Sequence, residues 1–315
     1  MTKLRNTPLV SVLTPSFNSE AFIEETIASV KVQDYPRIEH IIVDGGSSDS
    51  TVNILRGHSH LRWISEPDQG QSDALNKAFS MAKGDIIGWL NADDLYEPNI
   101  IMSIVAYFAD HPDAMVVYGN CSVFDPDGSV IEYWHGPYDR LKLFEPWRGF
   151  HGAFQPAIFY RRELIERIGG WMVDLHYVMD YDILLRASEY CDFDYLNVDI
   201  ARFRRHPQQK GALAWHKFVR EFDLSVERHW RGKGVIRQLS YTLKARDFYA
   251  LALLEEITQS SSVTTIEERS ILIKAVLVSP LVLRFPWVRR RYFASLLGSK
   301  FEERIKKTPI TIRDN

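Results

Sequence analysis

Residues 82–94 read AKGDIIGWLNADD, and this stretch decides the fold. Residues 85–90 form a short apolar run, which is typical of a strand buried in a parallel sheet. Three polar side chains follow almost at once, namely Asn91, Asp93 and Asp94. Ligands of open α/β sheets bind beyond the carboxyl ends of the strands. The stretch therefore predicts an α/β protein with a site at the end of this strand.

Short apolar runs alternate with helix-like segments along the first part of the chain. Predicted strands cover residues 9–14, 38–43, 61–64 and 85–90, and predicted helices cover residues 20–33, 50–56 and 71–82. This alternation indicates βαβ units and a mostly parallel central sheet covered on both faces. Strands and helices mix beyond residue 115, and the pattern becomes helical beyond about residue 215. We predict two domains, residues 1–215 and a helical C-terminal extension over residues 216–315.

Polar residues stand at three of the predicted strand ends, at 15–18, 44–49 and 91–94. Because the carboxyl ends of parallel strands meet at one edge of a sheet, we expect these residues to converge. Asp93 and Asp94 suit a hard cation, since Mg²⁺ and Mn²⁺ favour carboxylate oxygens together with phosphate and water. The alternative is that an Asn or Asp in this loop merely caps a turn.

The loop at residues 44–51 reads DGGSSDST. Its glycines let the backbone approach a ligand closely, and Asp44 can accept hydrogen bonds from a base or a ribose. The spacing matches neither the phosphate-binding loop of ATPases nor the dinucleotide fingerprint, so neither ATP hydrolysis nor NAD is favoured. A glycine turn capped by Ser and Asp is the competing interpretation.

Together these motifs resemble a family 2 glycosyltransferase of the GT-A fold. The resemblance extends over residues 8–210, with several motifs in the family's order and spacing. These are PSFNSE at 15–20, DGGSSDST at 44–51, residues 82–94, QPAIFYRR at 155–162, GGW at 169–171 and MDYDILLR at 179–186. The resemblance implies that residues 1–215 form a GT-A catalytic domain.

The resemblance implies a pocket for a nucleotide-sugar donor, with Asp44 facing the base. The matching positions are Pro15, Ser16, Glu20, Asp44, Asp68, Asp73, Asn91 and Asp93. The family's DXD position is occupied by Asn91, Ala92 and Asp93, so metal binding rests on Asp93 and Asp94. The resemblance leaves open which of the two is the direct ligand, and it implies Mn²⁺ or Mg²⁺ as the cofactor.

Asp180 matches the family's catalytic base, although Met179 stands where an acidic or small residue is usual. Inverting transfer to a hydroxyl is a single displacement in which one carboxylate accepts the acceptor's proton. Asp182 is a competitor for this role, or it begins the helix that carries Arg186.

Three further residues match positions near the reacting groups. His206 lies where GT-A enzymes often place a late histidine that reaches the metal or the diphosphate, with a structural role as the alternative. His151 and Gln155 belong to the segment expected to shape the acceptor site, with packing as the alternative.

Composition places the chain among ordinary globular proteins. Its 315 residues are 45% hydrophobic and 25% charged, which excludes disordered, collagen-like and disulfide-scaffold classes. Cys121 and Cys191 have no Cys or His cluster near them, as expected of thiols in a reducing compartment. The first eight residues precede a strand-like run rather than a long apolar segment, so we expect no signal peptide. The predicted location is the cytoplasm or the inner membrane face.

The formal net charge is −3, which gives no case for nucleic acid as a partner. Residues 281–315 nevertheless hold nine Lys and Arg against three acids, so an acidic body carries a basic tail. Residues 285–293 mix aromatic side chains with three arginines, which favours contact with an anionic inner leaflet. The alternative is a helical subdomain or homodimer contact with a solvated basic face.

The leading hypothesis is metal-dependent, inverting transfer of a sugar from a UDP-, GDP- or dTDP-linked donor to a saccharide or lipid-linked saccharide. Such transfer serves the biosynthesis of cell-surface polysaccharides or glycoconjugates. The sequence lacks both the Gln/Arg-x-x-Arg-Trp motif and the membrane spans of the family's processive synthases, which favours single additions. Two alternatives stay open. A sugar-nucleotide pyrophosphorylase would need a basic, glycine-rich loop where residues 16–19 read SFNS, and an inactive nucleotide-sugar-binding scaffold is permitted by Asn91 and Met179.

Overall fold

Two compact units, Met1–Gln209 and Lys210–Asn315, divide the chain near the predicted boundary at residue 215. The computed structural model describes residues 7–138, 143, 154–207, 209, 215–230, 250, 253–254, 265–280, 283 and 288. His151 and most of the basic tail, residues 281–315, lie outside the described residues. The roles predicted for them, and for the second unit as a whole, stay predictions.

The first half of the sheet is parallel, because a helix returns the chain after each strand. In chain order the elements are β1 (Val10–Ser16), α1 (Ile23–Lys31), β2 (Ile38–Asp44), α2 (Thr51–Arg56), β3 (Arg62–Ser65), α3 (Gln71–Met81) and β4 (Ile86–Trp89). β1 pairs with β2 and β4, and β2 pairs with β3. All four strands and all three helices predicted from the sequence are confirmed.

The second half of the sheet is mixed. Its elements are β5 (Leu95–Tyr96), α4 (Ile101–Asp110), β6 (Val116–Phe124), β7 (Val130–Trp134), a 3₁₀ turn (Gln155–Ala157), β8 (Ile158–Arg161), α5 (Arg162–Ile168), α6 (Met179–Ala187) and β9 (Asp194–Arg204). The strand order is β3-β2-β1-β4-β8-β6-β9-β5, with β7 paired to β6. β8 runs antiparallel to β4 and β6, whereas β6 and β9 are parallel. The predicted α/β fold is confirmed.

The core lies on both faces of the sheet, as the near-continuous apolar runs of its strands require. On one face Val10 and Val12 belong to a buried cluster with Ile104 of α4. On the other face the indole rings of Trp89 and Trp171 meet edge to face, 5.9 Å apart. The second face therefore joins β4 to the segment before α6.

The pairing of β9 with β6 has two irregularities, and the second one changes the direction of its side chains. Asn120 pairs with Asp199, but the next residue, Cys121, pairs with Ala201, so one residue of β9 is extra. An extra residue reverses which side chains of a strand point to which face of the sheet. Asp199 before it and Arg204 after it therefore share one face.

The second unit, Lys210–Asn315, contains α7 (Trp215–Trp230) and α8 (Thr265–Val278). Leu253, Leu272, Ala275 and Val288 belong to its buried apolar cluster. In the part of the chain that the structure describes, every helix is too short or too polar to span a bilayer.

Candidate active site

Asn91 is the centre of a hydrogen-bonded cluster directly beyond β4. Its Oδ1 accepts from Nε2 of Gln71 at 2.7 Å and from Nε1 of Trp89 at 2.8 Å. Its Nδ2 donates to Oε1 of Gln155 at 2.7 Å and to Oδ2 of Asp94 at 3.3 Å. An indole nitrogen only donates, so the orientation of the Asn91 amide is fixed. Both lone pairs and both N–H groups of Asn91 are used within the protein.

Asp94 lies behind this loop, fully buried. Its Oδ1 accepts from the backbone N–H of Arg204 at 3.0 Å. Burial, and after it the charge of Asp93, raises the pKa of the Asp94 carboxyl well above its usual range. Direct metal ligation by Asp94 stays a prediction, and its burial does not favour it.

Asp93 and His206 lie side by side at the ends of β4 and β9. Oδ2 of Asp93 is 3.0 Å from Nε2 of His206, and their side chains are 29% and 8% exposed. Two neighbouring ligands of an octahedral ion, each about 2.1 Å from it, are about 3 Å apart. The pair therefore fits a divalent cation. No third His, Cys, Asp or Glu completes a set of metal ligands among the described residues, which leaves phosphate and water for the other positions.

The loops after β1 and β2 are joined by hydrogen bonds. Asn18, at φ 49°, donates from its backbone N–H to Oγ of Ser47 at 2.7 Å and accepts at Oδ1 from the N–H of Ser48 at 2.9 Å. Oε2 of Glu20 accepts from the N–H of Ser50 at 2.8 Å. The exposed Glu20 thus belongs to the wall that these two loops form.

Asp44 is fully buried at the end of β2. Its Oδ2 accepts from the N–H of Gly46 at 3.2 Å and from Oγ of Ser65 at 2.6 Å. Asp44 therefore shapes the loop, and its contact with a base stays a prediction. Pro15 and Ser16, the last residues of β1, are also buried.

Asp68 and Asp73 flank the loop between β3 and α3. A Cβ on Gly45 would lie 2.6 Å from Oδ2 of Asp68, so the glycine lets the loops after β2 and β3 meet. Asp73 accepts from the N–H of Gln69 at 3.1 Å and lies 3.4 Å from Nζ of Lys77. The loops after β1, β2 and β3 thus share one edge of the sheet, and their role in binding a donor stays a prediction.

Asp180 is the second residue of α6 and is half-buried, with its Oδ1 2.8 Å from the backbone N–H of Tyr181. Burial raises the pKa of its carboxyl to about 6. Asp182 is 3% exposed and pairs with Nε of Arg186 at 2.7 Å, while Nη1 of Arg186 donates to the carbonyl of Ile168. Asp182 therefore ties α6 to α5, and the role of Asp180 as the base stays a prediction.

Gln155 is buried in the 3₁₀ turn. Its Nε2 donates to the carbonyl of Trp89 at 2.5 Å, and its Oε1 accepts from Asn91. Both ends of the side chain are thus used beneath the loop after β4. Its predicted contact with the acceptor stays a prediction.

Several supporting residues were missed by sequence reasoning. Oγ1 of Thr26 in α1 donates to the carbonyls of Ala92 and Asp94, at 3.0 and 2.9 Å. The buried Arg204 donates to the carbonyl of Asp93 at 3.0 Å and to Oε2 of Glu25 at 2.7 Å. Since Thr26 and Arg204 act through backbone carbonyls, their sequence neighbourhood contains no motif that would reveal them.

Comparisons with known proteins identify the family to which the chain belongs. The family model "Glycosyl transferase family 2" matches residues 11–169, from β1 into the turn after α5. The chain belongs to glycosyl transferase family 2.

Relatives of known name match 60–72% of the chain. An uncharacterized glycosyltransferase of Mycobacterium tuberculosis is 32% identical over 205 residues, which are 60% of this chain and 72% of that protein. A PGL/p-HBAD biosynthesis glycosyltransferase of Mycobacterium bovis is 27% identical over 227 residues, 70% of this chain and 86% of the relative. Chondroitin synthase of Escherichia coli is 27% identical over 234 residues, 72% of this chain but 32% of the synthase.

Solved structures of glycosyltransferases share the fold. S. aureus TarS 1–349 in complex with UDP-GlcNAc has a TM-score of 0.57 at 16% identity, covering 95% of this chain and 92% of that one. A mannosyltransferase of Pyrobaculum calidifontis in complex with GDP-Man and Mn²⁺ has a TM-score of 0.54 at 18% identity, covering 96% and 89%. These likenesses confirm the predicted GT-A type of fold.

Proposed function

We propose that this chain is a metal-dependent, inverting transferase that moves a sugar from a nucleotide-sugar to a hydroxyl of a saccharide or lipid-linked saccharide. The observation that carries the proposal is the pair formed by Asp93 and His206, 3.0 Å apart at the edge where the donor loops meet. The complexes of two structural neighbours, one with UDP-GlcNAc and one with GDP-Man and Mn²⁺, support a donor of this class.

The metal would be held by Asp93 and His206. A carboxylate suits both Mn²⁺ and Mg²⁺, and we propose Mn²⁺ because a structural neighbour is in complex with GDP-Man and Mn²⁺. When bound, the cation offsets the negative charge that develops on the departing diphosphate. Arg204 holds the backbone of Asp93 in place, and Phe22 packs against the His206 ring at 4.7 Å.

Asp180 would act as the general base. The acceptor oxygen forms a bond to the anomeric carbon while the bond from that carbon to the diphosphate oxygen breaks. The diphosphate leaves with the bonding electrons, the hydroxyl proton passes to the Asp180 carboxylate, and the configuration inverts. A carboxyl whose pKa is about 6 is mostly ionised at neutral pH, yet it binds a proton more readily than a surface Asp does.

We propose a single addition rather than polymer synthesis, because the chain lacks the motif that the family's processive enzymes carry. The name of the M. bovis relative supports an acceptor in glycolipid or cell-surface biosynthesis. The polymer-forming relative, chondroitin synthase, matches this chain over only 32% of its length.

The test begins with a thermal-shift screen of UDP-Glc, UDP-GlcNAc, GDP-Man and dTDP-Glc in the presence of Mn²⁺. Transfer from the stabilising donor is then measured for the wild type, for Asp180→Asn and for the exposed control Asp110→Asn. We expect Asp180→Asn to lose at least about 100-fold in transfer while its donor affinity is kept. Turnover within a few-fold of wild type would place the base elsewhere. Donor binding without any turnover in the wild type would favour the inactive scaffold.

A further inference from the structure

A polar and aromatic surface lies where β7 and β9 flank β6. Its outer residues are Tyr133, Asn197 and Asp199, all exposed, and we call it the β7–β9 surface. Tyr133 belongs to β7 and reaches across β6, where its hydroxyl donates to Oδ1 of Asp199. The three side chains thus form one group rather than three separate surface residues.

A buried amide holds this group from below. Nδ2 of Asn120, which is 5% exposed, donates to Oδ1 of Asp199 at 2.9 Å and approaches Oδ1 of Asn197 at 3.4 Å. The hydroxyl of Tyr195 donates to Oδ1 of Asn120 at 2.5 Å and lies 3.0 Å from Oδ1 of Asn197. The orientation of both exposed side chains is therefore fixed through their Oδ1 atoms.

The outward atoms of the same two side chains are available to a ligand. Neither Oδ2 of Asp199 nor Nδ2 of Asn197 has a hydrogen-bond partner within the described part of the chain. One is an acceptor and the other a donor, and the ring of Tyr133, 47% exposed, lies beside them. Because the rotamers of Asn197 and Asp199 are already fixed, ligand binding causes little further loss of side-chain entropy.

The β7–β9 surface lies on the sheet face that leads to the candidate active site. Asn120 and Phe124 are four positions apart on β6, so their side chains lie on the same face of the sheet. The guanidinium of Arg204 lies 4.6 Å from the Phe124 ring. The same guanidinium donates to the carbonyl of Asp93. Contacts from this face thus lead from Phe124 through Arg204 to the backbone of Asp93, one of the proposed metal ligands.

The charge of the proposed base, Asp180, acts on a residue of the same face. In β8 Tyr160 pairs with Val116 of β6, which puts both side chains on the face that carries Asn120. Burial, and after it the charge of Asp180, raises the pKa of the Tyr160 phenol. β9 is two strand spacings, about 10 Å, from β8, a distance that a short saccharide spans.

We propose that Tyr133, Asn197 and Asp199 bind one sugar unit of an acceptor saccharide, away from the hydroxyl that reacts. This inference rests on the proposed function, because it assigns the substrate class of the same site. A sugar hydroxyl both donates and accepts, so neighbouring hydroxyls match the carboxylate oxygen of Asp199 and the amide N–H of Asn197. The C–H groups of a sugar ring pack against the negative face of an aromatic ring, which Tyr133 offers.

The test is binding of the full chain to a glycan array of glucose, galactose, mannose and N-acetylglucosamine oligosaccharides. Two variants, Asn197→Asp and Asp199→Asn, keep an Oδ1 atom and the side-chain shape but invert the outward group. The control Asp110→Asn makes the same charge change on α4. We expect retention of at least one oligosaccharide series, weakened about tenfold by each of the two variants and unchanged by the control.

Two results would overturn the inference: no oligosaccharide is retained by the wild type, or retention is equal in wild type and both variants. Thermal unfolding of each variant is measured first, and a variant that melts earlier is replaced by the other one. Donor hydrolysis in water is followed on the same samples. Donor hydrolysis without retention of any oligosaccharide would contradict the saccharide-binding role of the β7–β9 surface but not the proposed function. Retention of an oligosaccharide without donor hydrolysis would contradict the proposed function but not this role of the surface.

Discussion

The hydrogen-bond partners of Asn91 explain why position 91 holds an amide, where the resemblance leads one to expect a carboxylate. Gln71 and Trp89 donate hydrogen bonds to its Oδ1, and its Nδ2 donates to oxygen atoms of Gln155 and Asp94. A carboxylate satisfies the donors but repels the acceptors. Gln155 cannot simply turn its amide round, because its Nε2 already donates to the carbonyl of Trp89.

We therefore predict that Asn91→Asp lowers the free energy of unfolding by about 1–3 kcal/mol, the range for leaving buried polar groups unpaired. Urea denaturation in the presence of EDTA measures the effect without a contribution from metal. The control is Asn53→Asp at an exposed position of α2, where we expect a change within about 0.5 kcal/mol. Equal stability of the two variants would mean that the cluster tolerates a carboxylate.

The raised pKa of the Asp180 carboxyl predicts how transfer depends on pH. Its carboxylate must be ionised to accept a proton, and burial raises its pKa to about 6. Transfer should thus be low at pH 5, rise to half its maximum near pH 6 and level off above pH 7. The profile is measured at saturating donor, with donor affinity determined at each pH to separate binding from catalysis. A plateau that extends down to pH 5 contradicts this assignment.

Residue types and their spacing locate the carboxylates of the candidate site, but they do not show which member of each neighbouring pair is buried or paired within the protein. Asp93 and Asp94 are adjacent in sequence, and the bend of the loop turns one toward His206 and the other into the interior. Asp180 and Asp182 are two positions apart on α6, and only the second meets Arg186 one helical turn later. Burial and pairing, which depend on distant elements, separate the members of each pair.

At the scale of elements, α1 supports the loop between β4 and β5. The hydroxyl of Thr26 donates to two carbonyls of this loop, on Ala92 and Asp94. We predict that Thr26→Val, which keeps the shape and removes the hydroxyl, destabilises the protein by about 1–3 kcal/mol. Thr26→Ser keeps the hydroxyl and should cost clearly less. Urea denaturation of both variants checks the order, and a loss for Thr26→Val no larger than that for Thr26→Ser would contradict the role of the hydroxyl.

The strands of the first half were predictable because each is a short apolar run between polar turns. β5 was not, since two residues carry no periodic pattern. The extra residue in β9 was not predictable either, because strict alternation places Asp199 and Arg204 on opposite faces of the sheet. Only the register against β6 brings them to the same face.

At the scale of the whole molecule, Met1–Gln209 is a compact unit that contains the family match and the site residues the structure describes. We predict that residues 1–209 produced alone unfold cooperatively and bind the donor found in the screen, with an affinity within a few-fold of the full chain. Calorimetry of the two proteins with the same nucleotide-sugar measures this. Failure of the shorter chain to fold would show that the first unit depends on the second.

The charge of the chain is divided unevenly, with the excess of basic groups in residues 281–315. We predict that the full chain floats with liposomes containing anionic lipid, and that removal of residues 281–315 abolishes flotation, since each basic residue near such a surface contributes about 1 kcal/mol. Neutral liposomes are the control. Flotation unchanged by the truncation would dismiss the tail as the contact.

The hydrogen bonds between the loops after β1 and β2 have a consequence for how quickly their amides exchange with solvent. The N–H groups of Asn18, Ser48 and Ser50 all donate to side chains of the opposite loop, although the loops lie at the surface. Such amides exchange only when the two loops separate. We expect their deuterium uptake to be slow before any nucleotide is added and to change little afterwards. The donor would then meet a wall that is already in its final shape, and its recognition would be a matter of fit rather than of closure.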